Sequence, residues 1–328
     1  MSQVQRRYIH IDEESRDLSL REDSMPVPGA EEVLIEVTAS GLNRADLLQR
    51  KGLYPPPPDA SPIMGLEVSG HVIGCGEAVT RFKEGDAVCA LTHGGGYASH
   101  AVAAQGQCLA KPESCSLTEA AGLPEALLTV WHNVFQRARL QRGERILMHG
   151  GASGIGTLGV AMCKALDAEV FSTAGTDAKC ARVEELGAIR CFNYREQNFV
   201  DELEALGLKG KIDVVFDMVG GDFIQGNLDV AAPDGRIVNI AYLRGFSAEV
   251  NFLPVLMKRL TLSGSTLRMQ TSAQKDQMVV EIEAQLAEHL HSGTVKPVID
   301  RIFPLEDAAE AQAYMESGTH FGKILLQS

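Results

Sequence analysis

The residues best suited to chemistry in this chain lie in one run, Ile146-Leu147-Met148-His149-Gly150-Gly151-Ala152-Ser153-Gly154-Ile155-Gly156-Thr157. An apolar stretch ends in a glycine-dense turn, and a helix-forming stretch follows at Leu158–Leu166. A strand–turn–helix passage of this kind removes side chains where phosphate oxygens must come close. It also offers them unpaired backbone N–H groups and the positive end of a helix. The chemistry expected here is the binding of a nucleotide cofactor's diphosphate, although the glycine spacing differs from the usual Gly-x-Gly-x-x-Gly.

The next strand indicates which nucleotide. NAD-binding folds usually end that strand in an acid that accepts hydrogen bonds from the ribose hydroxyls. This chain has Ser172-Thr173-Ala174-Gly175-Thr176 there, with Glu169 at the opposite end of the strand. Lys179 and Arg182 follow one helical turn apart, and Asp177 is the expected helix cap. A neutral, hydroxyl-rich pocket beside cations suits a 2′-phosphate, so NADPH is expected rather than NADH.

No metal is expected. His71, His93 and His100 do not pair with a cysteine at ligand spacing, and there is no lobe of four closely spaced cysteines. An alcohol cannot then be ionised by a Lewis acid. The reaction that fits is hydride addition to an electron-poor acceptor, a quinone or an α,β-unsaturated carbonyl, whose product anion is delocalised.

These residues need elements to hold them. From Arg145 onward strands and helices alternate, with strands expected at Arg145–His149, Glu169–Thr173, Ala188–Phe192, Asp213–Asp217, Arg236–Ile240 and Thr261–Leu267. Helices are expected at Gly156–Leu166, Ala178–Leu186, Phe199–Leu206 and Phe223–Val230. That is the rhythm of a doubly wound parallel six-stranded sheet, a Rossmann fold. Before it, short runs at Val33–Ser40, Val68–Cys75, Ala87–Leu91 and Tyr97–Ala104 predict an antiparallel, barrel-like region. Pro55–Pro58 reads as a stiff extended loop. Ser116 to Glu119 fits a capping box, and Thr271 caps an expected helix to His291 whose Met278, Ile282, Leu286 and Leu290 share one face. Arg301–Phe303, a helix at Glu306–Ser317 and a strand at Lys323–Gln327 are expected to return to the first domain.

Composition narrows the class of partner. The 328 residues carry a net charge of −13, which argues against nucleic acid or an anionic membrane. There is no apolar run of spanning length and no apolar leader at the N-terminus. Seven scattered cysteines fit a reducing, cytoplasmic setting.

Several segments together resemble a known family. Gly41-Leu42-Asn43-Arg44-Ala45-Asp46-Leu47 and Gln49-Arg50-Lys51-Gly52-Leu53-Tyr54-Pro55 look like the active-site segment of zinc-free quinone oxidoreductases. These form the zeta-crystallin-like branch of the medium-chain dehydrogenase/reductase superfamily. Gly65-Leu66-Glu67 stands where zinc alcohol dehydrogenases have Gly-His-Glu, with Leu66 in place of the zinc-binding histidine. Gly94–Ala98, Pro124-Glu125-Ala126, His149–Thr157, Asp217–Gly221, Ser263–Arg268 and Phe321-Gly322-Lys323-Ile324 also match, so the resemblance runs nearly end to end. It is strongest to the stress-inducible quinone oxidoreductase subfamily.

The resemblance implies a GroES-like, β-rich catalytic domain, residues 1–122 and 267–328, with a Rossmann NADPH-binding domain, 123–266, inserted between them. It implies that Ala152, Ser153, Gly154, Ile155, Gly156 and Thr157 hold the pyrophosphate. Thr176, Lys179 and Tyr194 would surround the 2′-phosphate and ribose. Thr129 would lie by the nicotinamide ribose, and Leu267 and Phe321 by its ring. Tyr54, Asn43 and Asp46 would line the place where quinone meets nicotinamide. Against these roles, Asn43 also suits a helix cap for Arg44–Arg50, and Asp46 an i,i+4 pair with Arg50. Tyr242 stands where the family often has a small residue, at the cofactor-facing edge, in reach of the cleft or the cofactor.

The expected activity is NADPH-dependent reduction of small quinones without zinc. The alternatives are an NADPH-dependent double-bond reductase of enones and 2-alkenals, and a non-catalytic dinucleotide-binding redox sensor. A homodimer is expected through pairing of the Thr261–Leu267 edge strand.

Overall fold

The computed structural model describes residues 5–328. Two compact units emerge: residues up to Leu128 together with Arg268–Ser328, and Thr129–Leu267.

The first unit opens with an antiparallel hairpin, β1 (Gln5–Ile11) and β2 (Leu18–Ser24). No element was expected before Val33. The hairpin is mostly exposed, with Ile9 its one fully buried residue, so it carries little hydrophobic signal. Then come β3 (Glu32–Gly41), α1 (Arg44–Arg50), β4 (Glu67–Cys75), β5 (Ala87–Leu91), β6 (His100–Ala104), β7 (Cys108–Ala110), α2 (Leu117–Ala120) and α3 (Pro124–Val130), whose last two residues belong to the second unit. The Ser116–Glu119 capping box is present but opens only one turn of helix.

The second unit contains β8 (Arg145–His149), α4 (Gly154–Ala165), β9 (Glu169–Ala174), α5 (Asp177–Leu186), β10 (Arg190–Asn193), α6 (Phe199–Ala205), β11 (Ile212–Asp217), α7 (Phe223–Val230), β12 (Ala231–Asn239), α8 (Leu253–Lys258) and β13 (Thr261–Gly264). All strands are parallel in the order β10-β9-β8-β11-β12-β13. Renumbered within the unit, this is the 3-2-1-4-5-6 order of the doubly wound dinucleotide fold. The order reverses between β8 and β11, so their C-terminal ends, His149 and Asp217, mark the switch point where ligands bind in such sheets.

The last expected strand is shorter than the sequence suggested. Only Thr261–Gly264 pair with β12. Ser265 N still donates to Asn239 O at 3.2 Å, and its side chain donates from Oγ to Asn133 Oδ1 at 2.7 Å, but the strand pairing ends at Gly264. Helix α8 was not expected, because its apolar residues are exposed rather than confined to one buried face.

The chain then returns to the first unit with α9 (Ser272–Ser292), capped by Thr271 as predicted, then β14 (Ile299–Pro304), α10 (Ala308–Ser317) and β15 (Lys323–Gln327). Strand β15 pairs antiparallel with β3, which completes a seven-stranded sheet ordered β14-β15-β3-β4-β5-β7, with β6 also on β3. Inward residues Val33, Ile35, Val37, Val68, Val72 and Val88 alternate along these strands and form one core, as a sheet with one buried face requires. Among the described residues no helix is long and apolar enough to cross a membrane.

Candidate active site

In the second unit the glycine turn leaves β8 and enters α4. Gly150 has φ +75°, which favours glycine, and a methyl at Gly156 would run into the carbonyl oxygen of Gly150. The turn is thus closed on itself by backbone packing. Ser153 caps α4, accepting from Gly156 N at 2.9 Å. The backbone N–H groups of Ala152, Gly154 and Ile155 have no acceptor among the described residues, and these residues are half-exposed. Unmet donors at a helix start match the charge and oxygens of a diphosphate, so the residues present fit a dinucleotide.

Thr176 caps α5, its hydroxyl accepting from Lys179 N at 3.2 Å. The cap is therefore Thr176, not Asp177. Asp177 is the first helical residue, and its carboxylate accepts from Asn193 Nδ2 at 2.8 Å. Glu169 sits at the far end of β9 and pairs with Arg145 at 2.7 Å. A side chain at Gly175 would meet Tyr194 Oη at 2.8 Å and Arg195 Nε at 3.5 Å. Tyr194 thus borders the same corner as Thr176, and so does Arg195, which the sequence reading missed. The available signal was a cation directly after the expected third strand.

Behind the turn lies a buried polar chain. Asn227 Oδ1 can only accept, so His149 Nε2 donates to it at 2.7 Å, and Nδ1 then accepts from Thr173 Oγ1 at 3.0 Å. Burial holds the His149 pKa below its usual value, so the ring is neutral. Asn227 and Asn239 donate to Asp217 Oδ2 at 3.0 and 2.9 Å, and Val219 N donates to Oδ1 at 2.6 Å. This chain fixes the ends of β8, β9, β11 and β12 around the switch point. Tyr242 is 41% exposed, and its ring lies against Gly220, where a side chain would strike it. Thr129 is buried and its carbonyl accepts from Asn133; Leu267 is also buried.

In the first unit Asn43 and Asp46 come together. Asn43 caps α1, and its N–H donates to Asp46 Oδ2 at 2.8 Å. The expected Asp46–Arg50 pair does not form. Asp46 is buried and accepts from Tyr97 Oη at 3.0 Å and Gly65 N at 3.3 Å, while Arg50 reaches Arg16 O and Gln312. The carboxylate is taken up by buried donors, while the guanidinium, on a partly exposed residue, is taken up by other acceptors. Burial pushes the Asp46 pKa up to about 6.

Beside them, Lys323 Nζ donates to Leu42 O and Asn43 Oδ1, both at 2.9 Å, and to Glu67 Oε1. Asn43 Nδ2 donates to the same Glu67 oxygen at 2.9 Å, and Glu125 N donates to the other at 2.9 Å. Desolvation and the neighbouring Glu67 push the Glu125 pKa up to about 8. Leu66 is buried and offers no ligand atom; among the described residues no cluster of three or more His, Cys, Asp or Glu has metal-binding geometry. Phe321 is buried, its N–H donating to Asp300 at 3.0 Å.

Tyr54 is not part of that cluster. It is half-exposed, and the guanidinium of Arg268 lies 5.5 Å from its ring centroid. Arg268 Nη1 donates to Gln49 Oε1 at 2.9 Å.

Comparison with known proteins bears on this arrangement. Residues 29–113 match the alcohol dehydrogenase GroES-like domain, and residues 186–326 match the family described as zinc-binding dehydrogenase. The chain is 32% identical to quinone oxidoreductase of Mus musculus over 314 residues, 94% of this chain and 93% of that protein. It is also 30% identical to a phenolphthiocerol/phthiocerol polyketide synthase component of Mycobacterium tuberculosis, matching 97% of this chain but only 14% of that protein's length. Among solved structures, Escherichia coli quinone oxidoreductase complexed with NADPH superposes with a TM-score of 0.85 at 28% identity, covering 98% of this chain and 100% of that one. The CurK enoyl reductase gives 0.85 at 28% identity, covering 99% of each.

Proposed function

We propose that this chain, which belongs to the quinone oxidoreductase family of the medium-chain dehydrogenase/reductase superfamily, is an NADPH-dependent quinone reductase that works without zinc. The observation that carries the cofactor choice is the end of β9. The acid that would receive ribose hydroxyls is replaced by Thr176, with Tyr194 and Arg195 at Gly175 and Lys179 on the first turn of α5. Bound NADPH would supply the hydride. The unmet N–H groups at Ala152, Gly154 and Ile155 would take the diphosphate, with Ser153, Gly156 and Thr157 shaping the turn. Thr176, Lys179 and Tyr194 would take the 2′-phosphate and ribose. Thr129, Leu267 and Phe321 are assigned to the nicotinamide end by likeness to the family; Tyr242, which departs from the family, is assigned to the cofactor-facing edge, where it would narrow the cleft or touch the cofactor. Tyr54, half-exposed, is assigned to the acceptor; Asn43 and Asp46 hold the segment that carries it.

The test is NADPH oxidation with 1,2-naphthoquinone, in wild type and in Lys179→Ala. The variant should lose about tenfold in affinity for NADPH while its affinity for NADH is unchanged. Equal losses with both cofactors would remove Lys179 from the 2′-phosphate site, and no acceleration over the uncatalysed rate would end the quinone reading. The likeness to an enoyl reductase favours one second reading, reduction of conjugated double bonds. A short 2-alkenal consumed faster than the quinone would put that reading first.

We also propose a homodimer joined along β13. That strand is a sheet edge, the segment before it exposes Phe246, Phe252, Leu253, Leu256 and Met257, and the strand itself exposes Leu262. An apolar run beside an unpaired edge is costly in water unless a second copy covers it. Light scattering that returned a monomer mass would refute this. We also propose a cytoplasmic setting, on the odd number and scattered placement of the seven cysteines.

A further inference from the structure

Arg268 and Lys275 are buried in the first unit, 8% and 5% exposed. Among the described residues neither is in an ion pair. Lys275 Nζ makes one long contact, 3.4 Å to the carbonyl of Arg268, and Arg268 bonds only the neutral amide of Gln49. Its Nε and Nη2 are buried with no hydrogen-bond partner. A buried cation without an anion is expensive, and unmet N–H donors add to that cost. Among the described residues the other buried cation, Lys323, has an acid, Glu67. The acids that act on Arg268 are Asp46 and Glu125; burial leaves Glu125 mostly uncharged at neutral pH, and Asp46, whose oxygens accept from Asn43, Gly65 and Tyr97, makes no ion pair with Arg268.

The fork is also held in place. Gln49 Nε2 donates to Pro62 O at 3.3 Å, which turns Oε1 towards Arg268 and leaves the other guanidinium edge unmet. The Tyr54 ring lies against that guanidinium. Leu53 and Met269, the chain neighbours of Tyr54 and Arg268, are exposed apolar residues. A fixed cationic fork beside an aromatic face complements a flat aromatic molecule carrying a negative oxygen.

We propose that Arg268 is a catalytic residue that stabilises the oxyanion forming on the acceptor, with Gln49 its positioning residue and Lys275 a supporting cation. This rests on the quinone-reductase reading and deepens it. Bound NADPH would supply the hydride: the electron pair of its nicotinamide C4–H bond would form the new bond to the quinone, leaving NADP+. The displaced quinone π-electrons settle on a ring oxygen as a hydroquinone monoanion. Arg268 Nε–H and Nη2–H receive that charge, and a proton from solvent then completes the hydroquinone. Donors already oriented before the charge appears lower the barrier without reorganisation.

The test compares wild type with Arg268→Ala and Arg268→Lys, using 4-nitrophenolate as a stable aromatic oxyanion and 4-nitroanisole as its neutral counterpart. Binding is read by absorbance shift at about pH 8, with no turnover required. Arg268→Ala should lose at least about tenfold in phenolate affinity and nothing for nitroanisole, and Arg268→Lys should fall between. With 1,2-naphthoquinone, Arg268→Ala should lose about 100-fold in kcat with KM little changed, and guanidinium ion in the buffer should restore part of it. NADPH affinity equal to wild type establishes that the variant is folded. Unchanged phenolate affinity, or a kcat loss that guanidinium cannot restore, overturns the proposal. If phenolate binding depends on Arg268 but quinone is not reduced, the oxyanion site stands and the quinone reading falls. If quinone is reduced equally well by Arg268→Ala, the reading stands and the site falls.

Discussion

Two buried cations in the same unit have been treated differently. Lys323 uses each of its three donors, on Leu42 O, Asn43 Oδ1 and Glu67, and Glu67 is in turn met by Asn43 and Glu125 N. Arg268 is almost as buried but its guanidinium has one hydrogen-bond partner, and that partner is uncharged. The first cluster is complete without a ligand, so its role is to join the chain's two ends through α1, β4 and β15. The second is incomplete, and an incomplete buried site is the one with something left to bind. Burial and charge alone do not distinguish structural from functional groups; the count of unmet donors does.

The largest expected effect would break this contrast at the complete cluster. Lys323→Met leaves Glu67 charged, buried and unneutralised, and should cost about 3–5 kcal/mol in urea unfolding. Adding Glu67→Gln should recover much of that loss. Arg268→Met removes a cation that had no anion, and should change stability by less than about 1 kcal/mol or raise it. Equal losses at Lys323 and Arg268 would show that both are structural.

A smaller effect, in a definite direction, should come from Asp46 beside the complete cluster. Its folded pKa is raised from 3.8 to about 6, so the native state holds the proton more tightly than the unfolded chain does. As pH rises from 3.8 towards 6 the unfolded state ionises first, and this group's contribution falls by up to about 1.4 kcal/mol per pH unit. Above the folded pKa both states are ionised and the contribution is flat. The stability of wild type minus that of Asp46→Asn should therefore decline between about pH 4 and pH 6 and level off above. A difference that rises with pH would mean that the hydrogen bonds from Asn43, Gly65 and Tyr97 outweigh burial.

What could be read in advance follows from how far apart the interacting residues lie. The glycine turn, the strand–helix alternation and the Thr271 cap depend on neighbours a few positions away, and each was legible in the sequence. The replacement of an acid by Thr176 was legible for the same reason. Asp46 was misread because its partners are Tyr97, 51 residues on, and Gly65, 19 on, whereas the i,i+4 rule sees only Arg50. Arg268 meets Gln49 across 219 residues, and Lys323 meets Glu67 across 256; no periodicity joins such positions. Family likeness had marked the segments of both pairs without indicating that they touch. Thr261–Leu267 was read as one strand because the Thr-Leu pattern that opens it recurs at Thr266-Leu267, after the ladder ends at Gly264.

The smallest predicted effect carries the donor count into the other unit. Ser153 accepts from Gly156 N at 2.9 Å, so one donor of the turn is used internally, while Ala152, Gly154 and Ile155 keep theirs unmet. The Ser153 hydroxyl hydrogen goes only to Met218 Sδ at 3.7 Å, a weak acceptor that a phosphate oxygen would displace. Ser153→Ala should thus cost about 1 kcal/mol of stability from the lost cap. It should also reduce NADPH affinity only a few-fold, because the three unmet backbone donors remain. Urea unfolding and direct NADPH titration separate the two terms. A stability loss with unchanged affinity would confine Ser153 to capping. A hundredfold loss of affinity would mean that side chains rather than backbone hold the diphosphate, and the unmet-donor rule would then fail in the unit where it looks simplest.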